Sequence, residues 1–249
     1  LNLPANIIGT ENIKINSIEL NRRKPNIDKK PDRILLNLNS PLQPGQTAVI
    51  TVDFETHFNQ NFDRFGKYDD IYLLALWHPT IAPRNNEGWV DFLWVPYADP
   101  YYFNTAVYHV NLYTDKNVIS PHIVQSSDGY YNIQSLPTRD LTLVIGDFIG
   151  EKYAITNGPE LIYYSKAHRT SFLDNAVEAF TFFQGRYGEY PYHQLILIDV
   201  PLHYFRGMEF TGIIFFCDEE EHLAKFTMAH EIAHQWWYGL VGNDQINES

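Results

Sequence analysis

The change of hydrophobic period along this chain limits its fold more than any other feature. Between Thr47 and Phe58, Ala48, Ile50, Val52, Phe54 and Phe58 alternate with Thr51, Asp53, Glu55 and His57. A period of two is that of a strand with one buried face. The preceding Pro41-Leu42-Gln43-Pro44-Gly45 is turn chemistry. Ile13 and Ile15 alternate in the same way with Lys14 and Asn16. Residues 33–38, 72–77, 90–95, 107–113 and 141–145 read as further short strands between Pro, Gly, Asn and Asp clusters. Together they predict an antiparallel β-sandwich or saddle-like β domain over residues 1–167. No period of about 20–50 residues recurs, which excludes a solenoid or propeller.

Past residue 165 the period lengthens. Phe172, Ala176, Phe180, Phe183 and Tyr187 follow one helical face, and Gly188 stands at the C-terminal cap position. Residues 195–200 and 211–217 are apolar runs of strand length. Asp218-Glu219-Glu220-Glu221 predicts a second helix start, with Asp218 as N-cap and the acids near the positive end. Phe226, Ala229, Ala233, Trp236 and Leu240 are expected to form the apolar face of that helix. The fold class is therefore β plus α/β: an N-terminal β domain, then a second domain over 168–249.

Charge and composition narrow the function. The 249 residues carry 18 Lys and Arg against 30 Asp and Glu, a net charge of −12. Such a balance excludes general binding to a nucleic-acid backbone, which needs clustered cations. The single cysteine, Cys217, excludes an internal disulfide and reads as a small buried hydrophobe. No apolar run reaches the roughly 18 residues of a membrane helix. The N-terminal residues show no basic-then-apolar leader pattern. The compartment, cytoplasmic or exported, stays open.

The chemistry is concentrated in His230-Glu231-Ile232-Ala233-His234. On a helix, residues four apart lie one turn above each other. Two neutral imidazoles so placed can ligate one Zn²⁺ at about 2.0–2.1 Å. Glu231 lies roughly 100° round the helix. There its carboxylate can take a proton from the attacking water and pass it to a leaving amine. With 10 His in the chain, a chance match to this five-residue pattern has odds of about 2%. A metzincin would need His at Leu240 and Gly at Trp237, so that arrangement is excluded.

His230–Asn243, HEIAHQWWYGLVGN, resembles the zinc helix of the aminopeptidase N family of gluzincin metallopeptidases. Upstream, Gly207-Met208-Glu209-Phe210-Thr211-Gly212 resembles its exopeptidase motif. Residues 99–102 and 187–192 are weaker landmarks of the same family. The resemblance implies a thermolysin-like catalytic domain, one zinc held by His230 and His234, and Glu231 as general base. It implies that Glu209, with Met208 and Gly207, binds the free amino end of a peptide substrate. Two departures stand out: Arg206 replaces the motif's first Gly, and Phe210 replaces its Asn. The family's third zinc ligand is a Glu with about eighteen residues between it and the second His, which falls beyond Ser249. Its transition-state Tyr lies further still. Glu248 stands too early in that spacing. The chain by itself is therefore expected to be an N-terminal piece that holds zinc weakly and cleaves little.

Two rivals stay open: a non-catalytic interaction scaffold of the same fold, and a thermolysin-type endopeptidase, which would give Glu209 no role. His222 reads as a solvated residue of the acidic helix start and His203 as a surface residue, weighed against lining the cleft, while His57, His78 and His109 show no ligand spacing. The glycosylation-like triplet Asn247-Glu248-Ser249 reads as accidental.

Overall fold

The structure is a computed structural model. It describes residues 1–6, 11–58, 63–86, 88–90, 102–166, 170–217 and 221–243, apart from the side chains of 170, 171 and 221–223. These residues form two compact units, one drawn from 1–59 and 76–102, the other from 60–75 and 103–243.

The first unit holds β1 (Ile13–Leu20), β2 (Asn26–Lys29), β3 (Ile34–Asn37) and β4 (Ile50–Thr56). β1 pairs antiparallel with β4, and β2 with β3. β4 has the alternation its sequence predicts: Ile50, Val52 and Phe54 are half-buried, while Thr51, Asp53 and Glu55 are exposed. Asn6 ties the N-terminus to β1, accepting from the Ile13 amide at 2.6 Å and donating to the Ile13 carbonyl at 3.0 Å. Of the expected strand at 90–95, residues 91–95 lie outside the described residues.

The second unit begins with β5 (Phe65–Tyr68), β6 (Ile71–Leu74), β7 (His109–Tyr113), β8 (Val118–Ile119), β9 (Ile123–Ser127), β10 (Tyr130–Gln134) and β11 (Leu143–Ile145). They make two antiparallel sheets, in the orders β5-β6-β11-β8 and β7-β10-β9. A five-stranded sheet follows, built from β12 (Ile149–Ala154), β13 (Glu160–Ser165), β14 (Gln194–Asp199), β15 (Gly207–Phe210) and β16 (Ile213–Phe216) in the order β12-β13-β14-β16-β15. Its three middle strands are parallel. The edge strands β12 and β15 run antiparallel to their neighbours.

A parallel pair needs a long crossover, and α1 (Thr170–Tyr187) supplies it between β13 and β14. Gly188 ends α1 at φ +103°, its amide bonding the Gln184 carbonyl at 3.1 Å. β14 is central and covered on both faces, so Leu195–Ile198 are all buried. That is why its sequence is a continuous apolar run instead of an alternating one. Leu161, Tyr163, Leu195, Leu197, Ile214 and Phe216 point to one face of the sheet. There they pack with Phe172, Ala176 and Phe180 of α1 and with Ala224, Met228 and Ile232 of α2 (Glu221–Ala233). The expected N-cap, Asp218, lies outside the described residues.

One sequence expectation needs correcting. The buried stripe of α2 is Ala224, Met228 and Ile232, continued by Trp236, and not the face through Phe226, Ala229 and Ala233. Phe226 is 75% exposed. Phe226, His230 and His234 are spaced by four and share a stripe. A stripe that presents two imidazoles to a ligand has to stay open, and Phe226 stays open with it. Phe180→Ala is expected to lower stability by about 3–5 kcal/mol, because its ring is fully enclosed. Phe226→Ala should change it by less than about 0.5 kcal/mol. Urea unfolding of the two variants checks the assignment of the faces.

Candidate metal centre

His230 and His234 sit at the C-terminal end of α2, where the amide of His234 still bonds the carbonyl of His230 at 3.3 Å. The next bonds shorten to a three-residue step, from Gln235 to Ile232 and from Trp236 to Ala233, each 3.0 Å. This tightening is usual where a helix closes. The Nε2 atoms of the two histidines are 3.1 Å apart. Two nitrogens on one tetrahedral zinc would lie about 3.3 Å apart, given bonds of about 2.0–2.1 Å. The pair therefore fits that ion closely.

The tautomer fits as well. Nδ1 of His234 lies 3.1 Å from the Trp237 carbonyl, which can only accept. Nδ1 therefore carries the proton, and Nε2 presents a lone pair. Burial, and then the neighbouring His234, lower the pKa of His230. Its ring is thereby biased to the neutral form a metal needs.

Glu231 faces β15. It is 6% exposed, and a Cβ placed on Gly207 would overlap its carboxylate. Strand and helix thus lie close together at a point where the strand has no side chain. Two residues along the same strand face is Glu209, 8% exposed. Oxygens of Glu209 and Glu231 and a nitrogen of His234 all lie within 4.8 Å of one another. Of the residues singled out in the sequence, His230, Glu231, His234, Glu209 and Gly207 converge here. Met208 does not: it points to the other face of β15 and is 1% exposed in the core. His203 is exposed, with its ring against Tyr68 at 5.4 Å between centroids. The side chain of His222 lies outside the described residues.

Three buried polar anchors hold this arrangement. The Asp63 carboxylate accepts the consecutive amides of His203, Tyr204 and Phe205, each at 2.6 Å, and so fixes the loop leading into β15. Oδ2 of Asp140 accepts the amide and hydroxyl of Thr211 and the hydroxyl of Tyr238, each at 2.9 Å. Its Oδ1 accepts the Thr142 hydroxyl at 2.9 Å. Burial raises the pKa of Asp140, and these donors pull it back. Tyr238 has φ +123°, which a side-chain-bearing residue rarely adopts. Arg139 steadies it, donating to the carbonyls of Tyr238 at 2.5 Å and Leu240 at 3.2 Å. A Cβ on Gly242 would overlap the Arg139 guanidinium. The third anchor is Gln235, whose side chain bonds the β15–β16 turn.

Sequence reasoning passed over all three anchors, since a single Asp or Gln leaves no periodic trace. Only the position of Gln235, directly after the motif, marked it. Trp236 and Trp237 divide the work of the aromatic pair. Trp236 is buried against Phe180 and donates to the Gly188 carbonyl at 3.1 Å, whereas Trp237 is half in solvent, edge-on to Tyr187.

Gly207→Ala is the sharpest probe of the strand–helix approach. The added methyl must displace the Glu231 carboxylate, so stability should fall by about 1–3 kcal/mol in urea unfolding. Ala in place of exposed Gly185, which has open space around it, should be neutral or mildly stabilising.

No protein-family profile matches the sequence, and no curated protein matches it. Solved structures do match. The M1 zinc metallopeptidase from Deinococcus radiodurans superposes with a TM-score of 0.64 at 12% identity, over 94% of this chain and 56% of its own. A point mutant of a two-domain M1 zinc metallopeptidase, bound to L-arginine, gives the same values. A mutant of the Deinococcus radiodurans protein bound to a Tyr-Ser-Ala substrate gives a TM-score of 0.63 at 12% identity, over 94% of this chain and 56% of its own. The chain thus spans 56% of the length of these structures. What they share at this identity is the fold: a mostly β chain, with few helices among the described residues, folded like an M1 zinc metallopeptidase.

Proposed function

We propose that the protein is a zinc metallopeptidase and that, in its full-length form, it is an aminopeptidase. The observation that carries this reading is the meeting of Glu209, Glu231 and His234 within 4.8 Å. Nε2 of His230 and Nε2 of His234 would hold the ion. When bound, zinc supplies a Lewis acid that polarises the scissile carbonyl and makes water more acidic. Glu231 takes the proton of the attacking water and returns it to the leaving amine.

Glu209 sets the register of the substrate. A peptide's amino end is largely cationic near neutral pH, with a pKa of about 7.7–8.0. A fixed carboxylate binds it through a charge-assisted hydrogen bond, about twice as strong as a neutral one. The first peptide bond, and not an interior one, is then presented to Glu231. β15 is an edge strand of its sheet among the described residues, so an extended substrate has backbone to pair with. Within this reading, the five-stranded sheet with α1 and α2 begins the thermolysin-like catalytic domain, which therefore starts with β12 near Ile149 and not at residue 168.

The test is a paired assay of free and N-acetylated peptides on the full-length gene product. Glu209→Ala should cost about 2–4 kcal/mol in kcat/KM on free-amine peptides and much less on acetylated ones. Equal cleavage of both by the unmodified protein would indicate an endopeptidase. Stoichiometric zinc without cleavage of either would indicate a scaffold. His234→Ala should lower the zinc retained on dialysis against a mild chelator, since it removes one of the two paired imidazoles.

A further inference from the structure

Gln235 is 1% exposed and immediately follows His234. Its Oε1 accepts the Gly212 amide at 2.9 Å and the Tyr190 hydroxyl at 3.4 Å. Its Nε2 donates to the Phe210 carbonyl at 3.1 Å. Phe210 ends β15, and Gly212 is the second residue of the two-residue turn Thr211-Gly212 that leads to β16. A carbonyl demands a donor and an amide demands an acceptor, so only one orientation of the Gln235 amide satisfies both. One side chain therefore bolts the tip of the hairpin to the end of the helix that carries both histidines. Glu209 precedes Phe210 directly, so the bolt sets the height of its carboxylate over Glu231 and His234. Asp140 grips the same turn through Thr211. It does so from the segment before β11, and it also holds Tyr238 past the end of α2, so Gln235 is the direct link that lies next to the histidines.

The geometry points to Gln235 as a positioning residue for recognition of the substrate's amino group, acting through Glu209 without touching substrate. The inference rests on the aminopeptidase reading. A charge-assisted contact is sensitive to placement, and a shift of about 1 Å can cost about 100-fold. A purely structural Gln235 would instead weaken the fold and affect every ligand equally.

The experiment uses zinc-loaded, full-length protein carrying Glu231→Gln, so that bound peptide is not cleaved. Calorimetry reads the dissociation constants of trialanine and N-acetyl-trialanine, and metal analysis reads zinc per chain. In this background Gln235→Met should lower the preference for trialanine by about 10–100-fold with zinc retained. Gln235→Glu keeps the bonds to Gly212 and Tyr190 but loses the one to Phe210, and should fall between. Added to Glu209→Ala, Gln235→Met should change the preference by less than about threefold, because contacts that act through one another are not additive. Equal weakening of both peptides, or full additivity with Glu209→Ala, overturns the proposal. If Gln235→Met does not fold, Gln235→Glu decides: a reduced preference with zinc bound supports the proposal, and an unchanged one overturns it. If the background protein itself shows no preference for trialanine, the aminopeptidase reading fails and takes the proposal with it. A preference that survives Gln235→Met sinks the positioning role alone.

Discussion

The closeness of β15 to the end of α2 governs everything at the candidate centre. With a hydrogen for a side chain at Gly207, the strand can lie against Glu231. That contact brings Glu209, two residues on, to the same small volume as Glu231 and His234. Two carboxyl groups held so near each other cannot both ionise without cost. An arrangement of this kind is stable only if the backbone on both sides is held by something else. The Asp63, Asp140 and Gln235 anchors do that, each spending buried hydrogen bonds on backbone amides or on the turn itself. Breaking a buried bond of this type leaves a desolvated polar group, which costs more than the bond contributes.

The anchors work because the layer beneath them is dense. Phe180 meets Tyr190 edge-on at 5.4 Å and Trp236 at 5.4 Å, while Tyr163, Phe172 and Phe216 form a second aromatic group within 6.0 Å of one another. Rings in such contacts add about 0.5–1.5 kcal/mol per pair beyond simple burial. Trp236 belongs both to this core and to the segment that closes α2, so packing and site geometry are coupled through one residue. The histidine stripe is left open on the other side of the same helix. The helix is consequently asymmetric in function: Ala224, Met228 and Ile232 hold it, while His230 and His234 are presented.

Much of this was legible in residue order. The alternation through β4, the i/i+4 pattern of α1 and the capping glycine at 188 are local rules, and they produced the elements they predict. The spacing of His230 and His234 brought the two imidazoles together for the same reason, since four residues on a helix is one turn whatever surrounds it. Short edge strands such as β12, exposed along most of its length, were not legible. Their pairing comes from ladder hydrogen bonds and not from a buried face, so no period marks them. The apolar face of α2 was misjudged because periodicity reports that apolar residues recur, not which recurrence points to the core. Phe226 and Met228 are equally hydrophobic choices until the sheet is in place.

The sequence by itself therefore determined the elements whose geometry is local: the long alternating strand, the two helices and the imidazole pair one turn apart. Only the tertiary structure decided that Glu209 reaches Glu231 and His234, that Met208 turns away from them, and that Gln235 and Asp140 are residues that hold the hairpin. Those facts join positions about 20 to 100 residues apart, as between Glu209 and Glu231 or Asp140 and Tyr238. Such contacts follow from sheet order and strand register, neither of which is a property of any one segment.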